Sequence, residues 1–573
     1  MKPPRELLHP FGGFNLWPFD NGLTPQIECE GSQSKDFFPV IQSKTARPKN
    51  QKKGERKMGK KVLFAVVLSM FFIMAVTGLA LASCTSFIAG KNATADGSVM
   101  ALHNEDQWGW VAQRVEVFPS KKHAGPPQLL SGPIDAWVGQ HYPHKYKVIQ
   151  YNSGWPTPPS DPLWYYADNP ALINEFGVTV WDNFVTPRKE LLAIEAKAVN
   201  LVQSMELKRI PLERAKTARE AVKILGYLVD TYGYMRTGMA YGISDPKEGW
   251  IVEVTKGKHW VAHRVPDDMV VFRSNCYRIQ KVNLSDPNFM GSADLISYAK
   301  AQGWWTGSPS DFNFSQAYGD PLDMSDPLNT LREWAAVIFL DPRYHQLDLK
   351  TFFPWVQRGL GDAIVPLKKI TLEDAMAFAR IHYEGTPYDL TNGYKNGSPH
   401  WTTNECICMD YTESSTIVQL RDWLPLDIGC VLWRADGSPC SSVYIPWYLG
   451  ITTTPIEFRT GTNVPSDDSA WWVFRRITNT IDAHYGTLLG DAKTPFSKME
   501  KDLLAAQVSI ENAALELYEK HHHHGYNHHG QKFLTDYCSS TATAALDLAK
   551  KVLTNLIADT AGGSWLNPVC PAP

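Results

Sequence analysis

Residues 84–106 read CTSFIAGKNATADGSVMALHNED, and this stretch decides how the fold begins. The apolar segment CTSFIAG is typical of a strand, KNATADGS of a turn with Asp96-Gly97 at its tip, and VMALHNED of the start of a second strand. Two such strands joined by an Asp-Gly turn predict a β-hairpin. We therefore expect the chain to enter a sheet directly at Cys84, with no polar linker between this cysteine and the first strand.

The segment before Cys84 has the order of a secretory signal peptide. A short basic segment follows Met58, an uncharged and mostly apolar run extends over Val62–Leu79, and small residues come directly before Cys84. A run of about 18 residues is also long enough for a membrane anchor. We predict a signal peptide over 58–83. We interpret 1–57 as a leader or a start-site artefact outside the fold, with translation beginning at Met58.

Cys84 itself has two interpretations that exclude each other. Leu81-Ala82-Ser83-Cys84 fits a lipobox, which would make Cys84 the lipidated first residue of a membrane-anchored lipoprotein. Alternatively, Cys84 is the nucleophile of an enzyme whose catalytic residue is the new N-terminus. Lipidation blocks both the sulfur and the amine, so it would end such catalysis. Ala80-Leu81-Ala82 is the better cleavage site, so we expect either cleavage after Ser83 or later trimming of Ser83.

Composition limits the class of protein. The chain has 573 residues, 44% hydrophobic and 12% aromatic, which suits a packed globular body. A formal net charge of −3 without a basic stripe argues against nucleic acid as a partner. Nine cysteines are too dilute for a disulfide scaffold, although up to three disulfides can form beside a terminal Cys84. No cysteine pair has the CxxC spacing, so we expect no structural zinc site, no other metal and no cofactor.

Short motifs follow Cys84 in a fixed order over residues 84–557. They are Gly90-Lys91, Asp96-Gly97-Ser98, Asn104-Glu105-Asp106, Asn174-Glu175-Phe176-Gly177-Val178, Trp260-Val261-Ala262, Asn275, Asn329-Thr330-Leu331-Arg332, Gln419-Leu420-Arg421, Pro439-Cys440 and Phe533-Leu534-Thr535-Asp536-Tyr537. In this set and order the chain resembles the dipeptidase A family, which are cysteine dipeptidases of the N-terminal nucleophile hydrolase group, related to bile salt hydrolases and penicillin V acylases. The resemblance implies one catalytic domain over 84–573 of the α+β class, a four-layer αββα sandwich, with a helical C-terminal part at about 497–560.

The resemblance also implies roles for four residues. Cys84 is the nucleophile and its own α-amine is the base, since the two groups have similar intrinsic pKa values of about 8.5 and 8. Asp106 matches the aspartate that holds the terminal amine. Asn275, at the end of the last of four strands predicted from Tyr241 onward, matches an active-site asparagine that can donate to an oxyanion. His103 stands where the family usually has an arginine near the sulfur, and a histidine is not reliably charged at neutral pH.

Each of these roles has a structural alternative. Asp106 can cap a turn, His103 can pack on its strand, and Asn275 can cap a strand end. Asn183 is a further candidate donor to the oxyanion, although the alignment with the family at this position can shift by one residue.

Two other groups of residues attract functional hypotheses. Gln419 and Arg421 are candidates for binding a substrate carboxylate, because arginine suits bidentate recognition, and a salt-bridged structural arginine fits equally well. The His-rich run 521–529 lies between two predicted helices, so we interpret it as an exposed loop that binds metal only adventitiously.

These residues predict an exported cysteine dipeptidase, periplasmic or extracellular, that cleaves small peptides through an acyl-enzyme. It would contact a membrane only through the signal segment before cleavage. The sequence leaves open whether the protein forms homo-oligomers. The alternatives are an N-acyl amidase of the bile salt hydrolase or penicillin V acylase kind, and a non-catalytic, peptide-binding lipoprotein anchored at Cys84.

Overall fold

The hairpin predicted at the start of the fold lies inside a six-stranded antiparallel sheet. In this computed structural model, which describes residues 84–106, 112–120, 136–141, 144, 146–153, 171–193, 202–346, 363–391, 397–401, 405–521 and 528–561, strand β1 (Thr85–Ala89) pairs with β2 (Val99–Asp106). Ser86 lies opposite His103, and Gly97 in the turn has φ of 83°, a conformation that glycine adopts readily. The hairpin prediction is confirmed. The predicted leader and signal peptide lie outside the described residues.

Two antiparallel sheets contain all the strands of the described part. The first has the order β10-β1-β2-β12-β13-β14, and the second has the order β11-β9-β8-β7-β6-β5-β4-β3. The remaining strands are β3 (Gln113–Phe118), β4 (Val148–Ser153), β5 (Ala171–Asn174), β6 (Thr179–Phe184), β7 (Tyr234–Ser244), β8 (Gly249–Gly257), β9 (Trp260–Arg264), β10 (Val270–Arg273), β11 (Phe289–Gly291), β12 (Thr412–Leu420), β13 (Cys430–Asp436) and β14 (Ile445–Tyr448).

Several of the described helices pack on the two sheets. The described α-helices are α1 (Ala136–His141), α2 (Lys189–Leu192), α3 (Ser204–Arg214), α4 (Ala218–Tyr232), α5 (Leu295–Ala301), α6 (Phe314–Tyr318), α7 (Pro321–Ser325), α8 (Pro327–Leu340), α9 (Leu372–Phe378), α10 (Leu426–Gly429), α11 (Ala470–Ala483), α12 (Tyr485–His521) and α13 (His528–Ala561). Helices α3 and α4 pack on the larger sheet, and α8, α9, α11 and α13 pack on the smaller one.

The alternation of side chains along each strand explains this layering. On β1, Ser86 points to the second sheet and hydrogen-bonds Asn183 there, whereas Phe87 points the other way and packs edge-on against Phe378 of α9. On β8, Trp250 belongs to the core under α4, while Ile251 belongs to the core between the sheets. Strands with both faces buried require this two-sided apolar pattern. The predicted α+β class and four-layer αββα sandwich are confirmed.

The four strands predicted from Tyr241 to Asn275 are present, but the last one changes sheets. Strands β7, β8 and β9 are neighbours in the larger sheet, whereas β10 crosses over and pairs with β1, with Arg273 opposite Ser86. This crossing brings the residues after β10 beside the start of β1. Helix α4 begins after Thr217, whose hydroxyl accepts a hydrogen bond from the Glu220 amide.

The C-terminal part of the described chain is helical. Helix α12 ends at His521 and α13 begins at His528, while most of the His-rich run between them lies outside the described residues. No helix in the described ranges is long and apolar enough to cross a bilayer. The seven cysteines within those ranges are all free thiols and all buried.

Candidate active site

Cys84 lies directly before β1, buried between the two sheets. Its Sγ is 3.7 Å from the backbone oxygen of Asp106, at the end of the neighbouring strand β2. Burial raises the pKa of the Cys84 thiol well above its usual value, and the nearby carboxyl groups of Glu105 and Asp106 raise it further. In this environment the thiol stays protonated at neutral pH and needs a base to become a nucleophile.

Two side chains from distant segments hold the backbone of Cys84. Asn183 of β6 donates from Nδ2 to the Cys84 carbonyl oxygen at 2.8 Å, and Arg332 of α8 donates from Nη1 to the same oxygen at 3.0 Å. The Arg332 guanidinium is buried, and it also donates to Thr85 Oγ1 at 3.2 Å. The position of Cys84 is therefore fixed from both sheets and from the helical layer.

Asp106 is buried with only part of its hydrogen-bonding capacity used. Thr412 Oγ1 donates to Asp106 Oδ1 at 2.5 Å, whereas Oδ2 is buried and accepts no hydrogen bond from the described residues. Burial raises the pKa of Asp106 well above its usual value, although the Thr412 hydrogen bond and the charge of Arg332 oppose this. An acceptor of this kind, beside the first residue of β1, is suited to bind a nearby cation.

His103 packs against Trp181 and is not a cation here. The two rings are stacked with centroids 5.7 Å apart, and His103 Nδ1 lies 3.4 Å from Glu105 Oε2. Burial lowers the pKa of His103, and the nearby Glu105 does not offset this, so the imidazole is neutral at pH 7. The ligand atoms of Cys84, His103 and Glu105 lie within 4.8 Å of one another, a spacing at which a metal ion could also be held.

Asn275 follows β10 and shares a partner with Cys84. Arg332 Nη1 donates to Asn275 Oδ1 at 3.0 Å, so one guanidinium nitrogen bonds both the Cys84 carbonyl and the Asn275 amide. Asn275 Nδ2 donates to the carbonyl of Phe184 at 2.9 Å, and its backbone N–H donates to Asn329 Oδ1 at 2.9 Å. Asn275 is thus placed at the same site as Cys84, Asp106 and His103.

Gln419 and Arg421 are not brought to this site. They lie at the opposite end of β12 from Thr412, where Gln419 is opposite Met100. Arg421 makes a buried bidentate pair with Glu511 of α12, at 2.9 and 2.6 Å. This geometry supports the structural alternative for Arg421, because its guanidinium is already committed to a carboxylate.

Sequence reasoning missed two cations near Cys84. Arg332 lies in the motif Asn329-Thr330-Leu331-Arg332, but its sequence position does not indicate a contact with Cys84. Lys208 of α3 pairs with Asp182 at 2.7 Å. Burial alone would lower the pKa of Lys208, but Asp182 and Glu105 raise it overall, and the Cys84 side chain contributes in the same direction. Only the motif containing Arg332 offered a signal, since nothing local marks Lys208.

The architecture and this cluster define a class of protein. Two facing antiparallel sheets lie between helical layers, and the first strand starts at a buried cysteine, which is the fold of the N-terminal nucleophile hydrolases. The sequence profile of peptidase family C69 matches residues 83–498, and the chain belongs to this family. The match begins one residue before Cys84 and includes every site residue described above. The protein is a peptidase.

Proteins of similar sequence are named as dipeptidases. A probable dipeptidase from Latilactobacillus sakei is 25% identical over 451 residues, which cover 76% of this chain and 88% of that protein. A probable dipeptidase A from Streptococcus pyogenes is 28% identical over 418 residues, covering 70% and 82%. A solved variant of conjugated bile acid hydrolase from Clostridium perfringens aligns with a TM-score of 0.25 and 15% identity, covering 62% of this chain and 89% of that one.

Proposed function

We propose that the protein is an exported cysteine dipeptidase in which Cys84, freed as the N-terminal residue, attacks the peptide bond. The observation that carries this proposal is the buried Asp106 Oδ2, near Cys84, which accepts no hydrogen bond from the part of the chain that the structure describes. A terminal ammonium at Cys84 would supply the missing partner, and family membership and the dipeptidase names of relatives support the reaction type.

The reaction uses the α-amine of Cys84 as its base. The neutral amine takes the thiol proton, and the thiolate attacks the carbonyl carbon of the substrate to form a tetrahedral intermediate. The resulting ammonium then gives its proton to the leaving amino acid as the carbon–nitrogen bond breaks, which leaves a thioester at Cys84. Water attacks the thioester with the amine again acting as base, and the second amino acid leaves as a carboxylic acid.

Asn275 is the proposed oxyanion donor. It shares the Arg332 guanidinium with the Cys84 backbone, so its amide is held at a fixed position relative to the sulfur. Preorganised donors at such a position account for a large part of the rate in acyl transfer. Asn183 has a different role, because its Nδ2 donates to the carbonyls of Cys84 and Ser274 and thereby orients the nucleophile.

The chain with residues 1–83 attached is proposed to be inactive. Cys84 then has an amide nitrogen, which is not a base, and burial keeps its thiol protonated. Removal of the segment before Cys84 creates the base and the cation for Asp106 in one step. Export through the segment 58–83 would couple this activation to passage across a membrane.

A substrate panel tests the proposed function. The mature chain is incubated with free dipeptides, tripeptides, and N-acyl amides of the bile salt and penicillin V kinds, and products are quantified by mass spectrometry. We expect dipeptides to be hydrolysed with the highest kcat/KM. In Cys84→Ala we expect the rate to fall by about four orders of magnitude or more, as when other nucleophiles are removed.

Cys538→Ser is the matched control, because Cys538 is another buried free thiol and lies in α13, away from the site. Its activity should equal that of the unaltered chain. Preferred hydrolysis of N-acyl amides would instead favour the amidase alternative, and an active Cys84→Ala variant would end the nucleophile assignment.

A further inference from the structure

A second cluster of metal-ligating side chains lies outside the candidate active site. His382, His400, Cys408 and Cys440 are all buried, and their ligand atoms lie within 4.8 Å of one another. They come from four separate segments: after α9, the 397–401 segment, the approach to β12, and the turn after β13. Nothing in the proposed peptidase reaction uses them.

The two histidine rings direct lone pairs at each other. His400 Nδ1 is 2.8 Å from Asp482 Oδ1, and His382 Nδ1 is 3.0 Å from Glu384 Oε1. A carboxylate is an acceptor, so both Nδ1 atoms carry the ring hydrogen. Both Nε2 atoms are then acceptors, yet they lie only 3.0 Å apart. Two facing lone pairs at this distance repel each other unless a proton or a metal ion lies between them.

The two cysteine sulfurs complete the set of ligands around the same point. Cys408 Sγ is 3.8 Å and Cys440 Sγ is 3.7 Å from His400 Nε2. In a tetrahedral zinc site with Zn–N of about 2.1 Å and Zn–S of about 2.3 Å, adjacent nitrogen and sulfur ligands are about 3.6 Å apart. The two nitrogen–sulfur separations are therefore close to those that a single zinc ion would impose, whereas the two Nε2 atoms, 3.0 Å apart, would have to move slightly apart around the ion.

The surroundings are those of a structural metal site. A histidine that binds a metal through one ring nitrogen commonly donates the N–H of its other ring nitrogen to a carboxylate. Asp482 and Glu384 are placed to accept these hydrogen bonds from His400 and His382. Asp482 is in turn held by Ser398 Oγ at 2.9 Å. The ring of Tyr485 packs edge-on against both histidines, with centroids at 5.9 and 5.6 Å. No position at the four ligands is left open to solvent, because all four are buried.

We propose that His382, His400, Cys408 and Cys440 bind one structural zinc ion. Two thiolates and two neutral imidazoles in tetrahedral arrangement form a ligand set that selects zinc. No local sequence pattern indicates this site, because its ligands lack the CxxC spacing and meet only in the folded chain. The expectation of no metal, which relied on that spacing, is replaced by this proposal.

The zinc site would stabilise the backbone next to the active site. Cys408 precedes Met409, whose N–H donates to Thr412 Oγ1 at 3.0 Å, and Thr412 in turn donates to Asp106. A metal bound to Cys408 therefore fixes the segment that positions Asp106. Its ligands also join the segments around α9, α11 and α12 on the outer face of the smaller sheet.

The test begins with the metal content of the full-length chain and of its processed form, purified without chelators and measured by elemental mass spectrometry. We expect about one zinc per chain, and in Cys440→Ser we expect this zinc to be lost. Replacement by Co²⁺ should give the visible absorption bands of a tetrahedral cobalt–thiolate site. Chelation should lower Tm by several degrees, since a metal bound only to the folded state stabilises it.

Two variants serve as controls. Cys538→Ser should keep the zinc and the cobalt bands, and so should Cys84→Ala, which removes a ligand from the other cluster. A chain that contains no zinc and takes up no cobalt would overturn the proposal, as would a Cys408–Cys440 disulfide in non-reducing peptide mapping. Loss of metal in Cys84→Ala would also overturn it. If Cys440→Ser does not fold, the zinc content and cobalt spectrum of the unaltered chain still decide.

Discussion

The buried polar residues around Cys84 differ in how fully their hydrogen bonds are used. Arg332 donates to the Cys84 carbonyl, Thr85 Oγ1 and the Asn275 side chain, so its charge is surrounded by acceptors. Asp106, in contrast, has one oxygen bonded to Thr412 and the other without a partner among the described residues. At the scale of residues, Arg332 therefore fixes the positions of Cys84, Thr85 and Asn275, whereas Asp106 has an oxygen that can accept a hydrogen bond from a further group.

The first prediction concerns Asp106. In Asp106→Asn the terminal ammonium loses its counter-charge, so we expect kcat/KM to fall by about 10²-fold, a typical contribution for a group that assists proton transfer. A carboxylate raises the pKa of a neighbouring amine. Without it the acid limb of the pH–rate profile should move to lower pH, which steady-state kinetics over a pH series will show.

Asp96→Asn is the matched control for this variant. Asp96 lies on the same hairpin but bonds Ser98 and Gln419 at the far end of the strands. Its activity should be close to that of the unaltered chain. An unchanged pH profile in Asp106→Asn would show that Asp106 does not face the amine.

The second prediction concerns His103. Burial lowers its pKa, so the ring is already neutral across the pH range of about 6.5 to 9 in which the amine titrates. His103→Gln should therefore leave the acid limb in place. His103→Arg adds a fixed cation near the sulfur, which lowers the pKa of the thiol and should move the limb to lower pH.

The same pH series measures both variants at His103. A shift of the acid limb by a full pH unit in His103→Gln would mean that His103 titrates during catalysis, contrary to its buried and stacked position against Trp181.

At the scale of elements, strands β6 and β7 support the site through one close contact. Trp181 on β6 lies directly opposite Gly242 on β7, and its indole occupies the space where a side chain of residue 242 would be. A Cβ added at Gly242 would lie 1.9 Å from the Trp181 ring. Trp181 stacks on His103, which lies near Cys84. A side chain added at residue 242 would therefore displace the indole and disturb the surroundings of Cys84.

The third prediction follows from this contact. Gly242→Ala should destabilise the fold by about 1–3 kcal/mol, a typical cost of overpacking, and it should also lower kcat/KM because the indole must move. Urea unfolding and steady-state kinetics measure the two effects.

Gly490→Ala provides the control, because nothing lies within 4 Å of an added Cβ there. Gly490 lies inside α12, in its second turn, where alanine should stabilise by up to about 1 kcal/mol. A Gly242→Ala variant as stable as Gly490→Ala would contradict the close contact between Trp181 and residue 242.

Elements also show how far the sequence could predict the structure. The hairpin was predictable because Asp96-Gly97 and two alternating strands are local signals, and the position of Asn275 at a strand end was predictable for the same reason. The transfer of β10 to the smaller sheet depends on pairing between residues almost 190 positions apart. Lys208 and the cluster of His382, His400, Cys408 and Cys440 reach their partners through the same long-range packing, so no local pattern could reveal them. Arg332 lies in a recognisable motif, but its contact with Cys84 also depends on long-range packing.

At the scale of the whole molecule, the account depends on what happens to the bond before Cys84. The long chain and the chain that starts at Cys84 both contain residues 84–573, but only the second has an α-amine beside the thiol and Asp106. Lipidation of Cys84 would place a thioether on the sulfur and an acyl group on the nitrogen, which removes both reacting groups. Under the proposed mechanism, processing therefore decides whether Cys84 can act as the nucleophile.

The most direct measurement is the intact mass of the active protein as recovered from cells, combined with dipeptide hydrolysis by the same sample. We predict that activity appears only in chains that begin at Cys84 with an unmodified amine and thiol, and that a chain retaining Ser83 is inactive until Ser83 is removed. Full activity with Ser83 still attached, or activity in a chain carrying a diacylglycerol adduct on Cys84, would contradict the central claim.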